Sequence, residues 1–300
     1  MKKVFLALCM MASSVVAMAQ IDENDDQLFN HFGAGIEAGT DGIGFNVATT
    51  VTPYVQLRAG MSFLPAEVSG IEVHMHMDEN TRQRWDNFQA EAAKFQNAAK
   101  NSPEWKEWGQ YHLPNGTLTE DVGIKGKLNK TDFKFLVDLY PTKTSAWRLT
   151  VGFYAGSSKF VEANTTNYQD HLNAVVRFNE LTDIPNSEYA GKKIGAQIGD
   201  YLLTPYDYNE PARGYIKVGG FRPYIGIGSG RAISHKHRFS FAWDLGCQFW
   251  GSPKFYVKQK DGDVQVKKED VDGEGGGILK TMSQITVYPS LNFRFNGRIL

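Results

Sequence analysis

Cysteine is nearly missing from this chain: its 300 residues hold two, Cys9 and Cys247. The first falls inside an N-terminal stretch built like a secretory signal peptide, with Lys2 and Lys3 ahead of an apolar run over 4–16 and the small-residue ending Ala17-Met18-Ala19. Cleavage is expected after Ala19, which makes 1–19 the signal peptide and 20–300 one domain. Cys247 is then alone, so no disulfide forms within the exported chain, and bulky Leu8 argues against a lipoprotein site at Cys9. Charge of one sign is missing too: the formal net charge is −1, and −3 once Lys2 and Lys3 leave. Such a balance excludes nucleic acid as a partner. Past Gln20 there is no run of about eighteen apolar residues, which excludes a membrane-spanning helix. Strands remain as the way across a bilayer.

What the sequence does have is period-two alternation in segments of about ten residues, the length a tilted strand needs to span a membrane. Over 239–249 the odd positions are Phe239, Phe241, Trp243, Leu245, Cys247 and Phe249, and the even ones Ser240, Ala242, Asp244, Gly246 and Gln248. The segments over 146–156 and 285–295 repeat that pattern. Five more, at 31–39, 43–51, 54–64, 133–140 and 215–228, bring the strands to eight. In the 215–228 segment the apolar parity switches across Gly219-Gly220, which reads as a bulge. Connections are short at 40–42, 52–53, 141–145 and 229–236, and long at 65–116, 157–213 and 251–282. Short periplasmic turns and long outer loops belong to outer-membrane barrels. The expected fold is all-β: a closed eight-stranded antiparallel up-and-down transmembrane barrel with short helices in long extracellular loops.

Parity alone does not tell inside from outside, since a soluble ligand-binding barrel turns its apolar face inward. The charges on the polar face favour lipid on the other, as do the aromatic residues Tyr54, Tyr140, Trp147 and Phe295 near the periplasmic ends. Within the lumen a charge network is expected from Glu37, Arg58, Asp138, Arg148, Arg222, Asp244 and Arg294. A hairpin centred on Lys143 sets Asp138 beside Arg148, and one centred on Ile233 sets Asp244 beside Arg222. Closure brings Glu37 near Arg294 or Arg58. A barrel of eight strands is just wide enough for its own side chains. Tyr154, Tyr224 and the arginines refill any gap left by Gly152, Gly226, Gly228 and Gly246, so the lumen reads as plugged.

The segment PYIGIGSGRAISHKHRFSFAWDLGCQFWGSPKF, over 223–255, carries P-Y-x-G-x-G and then F-x-x-D-L-G-x-x-F-x-G-S-P. With TPYVQLRAGMSF at 52–63 and LYPTKTSAWRLTVGFY at 139–154, it resembles small outer-membrane barrels of the OmpA, OmpX and OmpW kind, including porin-annotated members. The resemblance covers the strand half of the chain. It implies the outer membrane of a Gram-negative bacterium, with outer-membrane lipid and the barrel-assembly machinery as partners. Leu291, Phe293 and Phe295 resemble the signal that machinery reads, although the chain continues to Leu300 without the usual terminal Phe.

Chemistry peculiar to this chain is confined to the long connections. Asp78 suits a helix cap ahead of Trp85, Phe88, Ala92 and Phe95, and Tyr168, Leu172 and Val175 suggest a second short helix before Pro185. Trp85, Trp105, Trp108 and Tyr111 are candidates for a recognition surface toward an unknown extracellular ligand; the plainer reading, which we favour, folds these aromatics onto the rim. His74 and His76, with Glu72 and Asp121, lack the fixed spacing of a metal site, and His235 and His237 read as a polar turn. There is no G-x-S-x-G motif, and the strands place no histidine away from their ends, so no catalytic, cofactor or metal residue is assigned. The function read from the sequence is therefore a plugged barrel, structural or adhesive through its loops. Slow or gated uptake of small solutes is the alternative, and a lipid- or peptide-modifying enzyme the least favoured.

Overall fold

Side chains of a strand alternate between the two faces of its sheet, so the alternating segments can each offer one apolar face. The computed structural model describes residue 29 and residues 31–75, 77–97, 121–166, 169–198, 201–234, 237–259, 262–266 and 283–299. In chain order its first half comprises β1 (Phe32–Gly39), β2 (Gly42–Thr52), β3 (Val55–His74), α1 (Glu79–Asn97), β4 (Asp121–Leu139) and β5 (Trp147–Gly156). Then come β6 (Lys159–Thr165), α2 (Gln169–Thr182), β7 (Ala196–Ile198), β8 (Tyr201–Leu203), β9 (Arg213–Lys217) and β10 (Phe221–Ser229). The last are β11 (Phe239–Phe249), β12 (Lys254–Gln259), β13 (Gly262–Val266) and β14 (Val287–Arg298).

Eight strands form a closed ring in the order β4-β3-β2-β1-β14-β11-β10-β5, with β5 pairing back onto β4. Every pairing is antiparallel, and closure leaves the ring no open edge. Its outer face carries Ile36, Ile43, Val47, Phe221, Phe239, Phe241 and Phe295, all exposed, while Gln56, Arg58, Asp138, Arg222 and Arg294 are buried inside. This is the reverse of a water-soluble protein, in which the apolar face is the one hidden. Between β1 and β2 the chain turns through Thr40 and Asp41 into Gly42 at φ 91°, a left-handed conformation that glycine adopts without strain.

At one end the ring is trimmed by short turns. At the other, β4 and its neighbours rise beyond it, and β6, β9, β12 and β13 extend the sheet from β4. The long connections expected at 65–116, 157–213 and 251–282 are therefore partly strand, with β3 running on to His74 and β6 and β12 lying within the other two, and β4 starts at Asp121, well ahead of the expected 133–140 segment. Polarity inverts where this extension begins. On β4 the outward positions change from Phe133 and Phe135 to Lys125 and Lys127, and the inward ones become Leu128 and Ile124. The parity switch at Gly219-Gly220 has the same cause. Rather than bulging one strand, the chain leaves the extension as β9, with Ile216 facing inward, and enters the ring as β10, with Phe221 facing out.

The inward side of the extension packs Ile124, Phe255, Val257 and Val266 against Leu203 and Ala212. The two helices form a second core, where Trp85, Phe88 and Ala92 of α1 meet Ala174, Val175 and Phe178 of α2, together with Met75, Val122 and Ile194. Asp78 caps α1, its Oδ1 accepting from the Thr81 amide at 2.8 Å.

Candidate functional site

Inward positions converge on the axis of a narrow ring, so charged groups from non-adjacent strands meet there. Arg58 on β3 pairs with Asp138 on β4 at 2.6 Å and reaches Asp244 on β11 at 3.3 Å. Arg148 on β5 holds the same two carboxylates, at 3.5 Å from Asp138 and 2.5 Å from Asp244. Arg294 on β14 pairs with Asp244 at 2.9 Å. Three guanidinium groups thus share two carboxylates in the middle of the lumen. Glu37 pairs with Lys134 from across the ring.

A second charged layer lies nearer the extension. Arg222 pairs with Asp132 at 2.7 Å, and Lys130 joins Asp132 at 3.2 Å to Asp41 at 2.6 Å. Asp41 also accepts from Gln248 at 2.7 Å and from Asn292 at 2.6 Å. Above this layer the rings of Phe160, Trp250 and Tyr288 cluster at 4.9 to 6.0 Å between centroids. Tyr224 crosses Gly226 and Gly246, where any Cβ would run into its ring or hydroxyl.

The opposite end is closed by the connection between β10 and β11. Ala232 and Ile233 are fully buried against Ala48, and Gln56 fixes them, donating to the Ile233 carbonyl at 2.9 Å and accepting from the Ala232 amide at 3.1 Å. Arg231 ties this connection to two other turns through the carbonyls of Pro53, Thr142, Lys143 and Ser145. Within the lumen, several buried polar atoms have no hydrogen-bond partner among the described residues: Arg294 Nη1 and Nη2, Glu37 Oε2, Ser62 Oγ, and both side-chain atoms of Asn46 and Asn296.

Six of the seven expected lumen residues meet in the central cluster or beside it, namely Glu37, Arg58, Asp138, Arg148, Asp244 and Arg294. Arg222 does not pair with Asp244. The register sets Gly228 opposite Asp244, so Arg222 lies six residues further along β10 and finds Asp132 instead. The symmetric hairpin about Ile233 fails because the connection bends into the ring rather than turning tightly. Sequence reasoning missed Asp41, Lys130 and Asp132 as lumen residues, although Lys130 and Asp132 continue the even parity of Lys134 down β4. Trp85 is 1% exposed and stacks on Phe88 at 5.4 Å, so it is a core residue and no part of a recognition surface. Trp105, Trp108, Tyr111 and His76 lie outside the described residues, and no group of three His, Cys, Asp or Glu that could hold a metal occurs among the described ones.

Beside the helices, burial lowers the pKa of His171 on α2 below its ordinary 6.5. The Tyr215 hydroxyl on β9 is pushed up to about 12 by desolvation and its hydrogen bond to Asp263. Both features belong to the packing of the extension.

A closed strand ring that is apolar outside and hydrogen-bonded within satisfies the demand of hydrocarbon on a polypeptide backbone. The ring of this chain therefore has the build of a membrane-spanning β-barrel. No family model and no curated protein matches it. Among solved structures it is similar to CarO2 of Acinetobacter baumannii, at 13% identity over 91% of this chain and 100% of that one, with TM-score 0.42. It is also similar to CarO of the same organism, at 10% identity over 88% and 96% with TM-score 0.40, and to a major outer membrane protein from Thermus thermophilus, at 12% identity over 90% and 98% with TM-score 0.36.

Proposed function

We propose that the chain works as a closed eight-stranded transmembrane barrel, structural or surface-binding, with its helices and extended sheet on the extracellular side. The carrying observation is the cross-lumen ion network, in which Arg58, Arg148 and Arg294 converge on Asp138 and Asp244. Charges paired this way in a water-poor lumen lock side chains from five strands into one arrangement. The plug of Ala232 and Ile233 supports the same reading from the other end. Outer-membrane lipid and the barrel-assembly machinery are its expected partners, and the reading contains no catalytic step. Planar-bilayer recording on the refolded protein tests it: the expected trace is silent, and a steady solute-selective current overturns the reading. Orientation is tested separately by a cysteine at Lys143, in the short turn between β4 and β5. An impermeant thiol reagent added to intact cells should leave it unlabelled.

A second reading, gated uptake of a small polar solute, is favoured by the unpartnered groups of the lumen. Buried polar atoms are costly without partners, and Arg294, Asn46, Asn296, Ser62 and Glu37 offer both donors and acceptors to water or to a solute passing along the lumen.

A further inference from the structure

Lys159 on β6, Lys217 on β9 and Lys254 on β12 occupy one rung of three neighbouring strands, Lys217 being the register partner of both others. Like charges directly opposed across a sheet destabilise it. Ion pairs on this face run elsewhere, from Lys125 to Glu67 and from Arg213 to Glu210, and no carboxylate among the described residues reaches any of the three lysines. Two stacked rings hold Lys159 and Lys217 in place. Tyr215 and Tyr256 lie 5.1 Å apart and nearly parallel. Lys159 sits 4.5 Å over Tyr215, and Lys217 sits 4.6 Å over Tyr256. The tyrosine hydroxyls are tied to Asp263 and Gln265, so the ammonium groups are the free polar ends of this patch.

The row faces outward. Its alternate neighbours Ile216 and Phe255 belong to the inward side, and the Tyr215 rung runs through Glu162 to Lys127 on β4, whose odd positions include lipid-facing Phe133. Lys217 precedes Phe221 of the apolar belt by four residues, so three lysines stand immediately above the hydrocarbon-facing surface, where headgroups begin. Of the acids on this face, Asp263 accepts from Tyr215, Glu67 and Glu210 pair with Lys125 and Arg213, and Glu162 stands opposite Lys127 in the register.

We propose that Lys159, Lys217 and Lys254 bind the phosphate groups of lipid headgroups in the leaflet on the extension side of the ring. An anion shared across the row would relieve the repulsion that the register imposes, while its acyl chains lie on the belt below. The site rests on the membrane reading given above. Its test uses the full refolded chain in detergent and native mass spectrometry with two probes of identical acyl composition, diphosphorylated lipid A and its dephosphorylated form. Retention of the diphosphorylated lipid should exceed that of the dephosphorylated one. It should fall by about fivefold for each Lys→Gln change at 159, 217 and 254 and persist when all three become Arg. Millimolar inorganic phosphate should not displace it. Equal retention of both probes, or an unchanged triple Gln variant, overturns the site, and displacement by inorganic phosphate overturns the lipid as its occupant. Insertion of the same preparations into lipid vesicles keeps the two readings apart, because failure of the unmodified chain to insert refutes the membrane reading itself.

Discussion

Arg58 on β3 and Asp244 on β11 meet across the lumen at 3.3 Å, although β2, β1 and β14 separate their strands in the sheet. A contact of this kind spans the ring instead of running along it. It ties the curvature of the sheet to side-chain electrostatics.

Asp244 is the shared member of the network, accepting from Arg58, Arg148 and Arg294. Asp244→Ala should destabilise the refolded barrel by about 3–5 kcal/mol in urea titrations, because it strands buried guanidinium groups. Adding Arg148→Ala should recover part of that loss. The pair Arg222 and Asp244 should instead be additive to within about 0.5 kcal/mol, since their contacts are separate. Strong coupling between Arg222 and Asp244 would contradict the register of β10 with β11.

The ring strands were legible because hydrocarbon imposes a strict rule: on β11 each odd residue from Phe239 to Phe249 faces outward. Beyond the membrane the rule reverses. The alternation of β4 over Ile124, Gly126 and Leu128 against Lys125 and Lys127 therefore falls outside the 133–140 segment read as strand, and Ile216 to Ile227 looked like one bulged strand. The network was legible in membership and not in pairing, because pairing depends on how far the connection carrying Ile233 folds into the ring. That inward bend comes from Gln56 binding the backbone of Ala232 and Ile233, a contact 177 residues apart in sequence at Ile233. No local pattern announces it.

Cys247 lies on the outer face of β11, opposite Ile225 of β10 and Pro289 of β14. In lipid vesicles a charged maleimide should leave it unmodified while an apolar one labels it. Unfolding in detergent should make both reagents equally effective. Cys247→Ala should shift stability by no more than about 0.5 kcal/mol, and any larger loss would place the thiol in a packed contact.

His171 gives the extension a pH dependence. Burial lowers its folded pKa, so the unfolded chain takes up a proton first as pH falls below about 6.5. The contribution of the neutral ring is complete above that value and is lost as pH drops toward the lower folded pKa. Hydrogen-exchange protection factors of α1 and α2, taken relative to the intrinsic rate at each pH, should accordingly fall on acidification from pH 7, with those of the ring strands unaffected. His171→Gln should flatten that response, and an unchanged profile in this variant would remove His171 as its source.

Two closures stand in series along the lumen, the Ala232 and Ile233 plug at one end and the ion network at the centre. A series arrangement predicts that neither single opening conducts. Ile233→Ala should cost about 2–5 kcal/mol by emptying part of the plug and leave planar bilayers silent, because the network still blocks the axis. Asp244→Ala should be silent as well, with the plug intact. The double variant should give a steady current. That current should favour anions, because the described residues of the ring and its turns bury seven basic groups (Arg58, Lys130, Lys134, Arg148, Arg222, Arg231 and Arg294) against five acidic ones (Glu37, Asp41, Asp132, Asp138 and Asp244). Losing Asp244 widens that excess and frees Arg58, Arg148 and Arg294 to attract a passing anion. Current through Ile233→Ala alone would make the plug the whole gate and move the function toward uptake; a cation-selective double variant would contradict the charge arrangement.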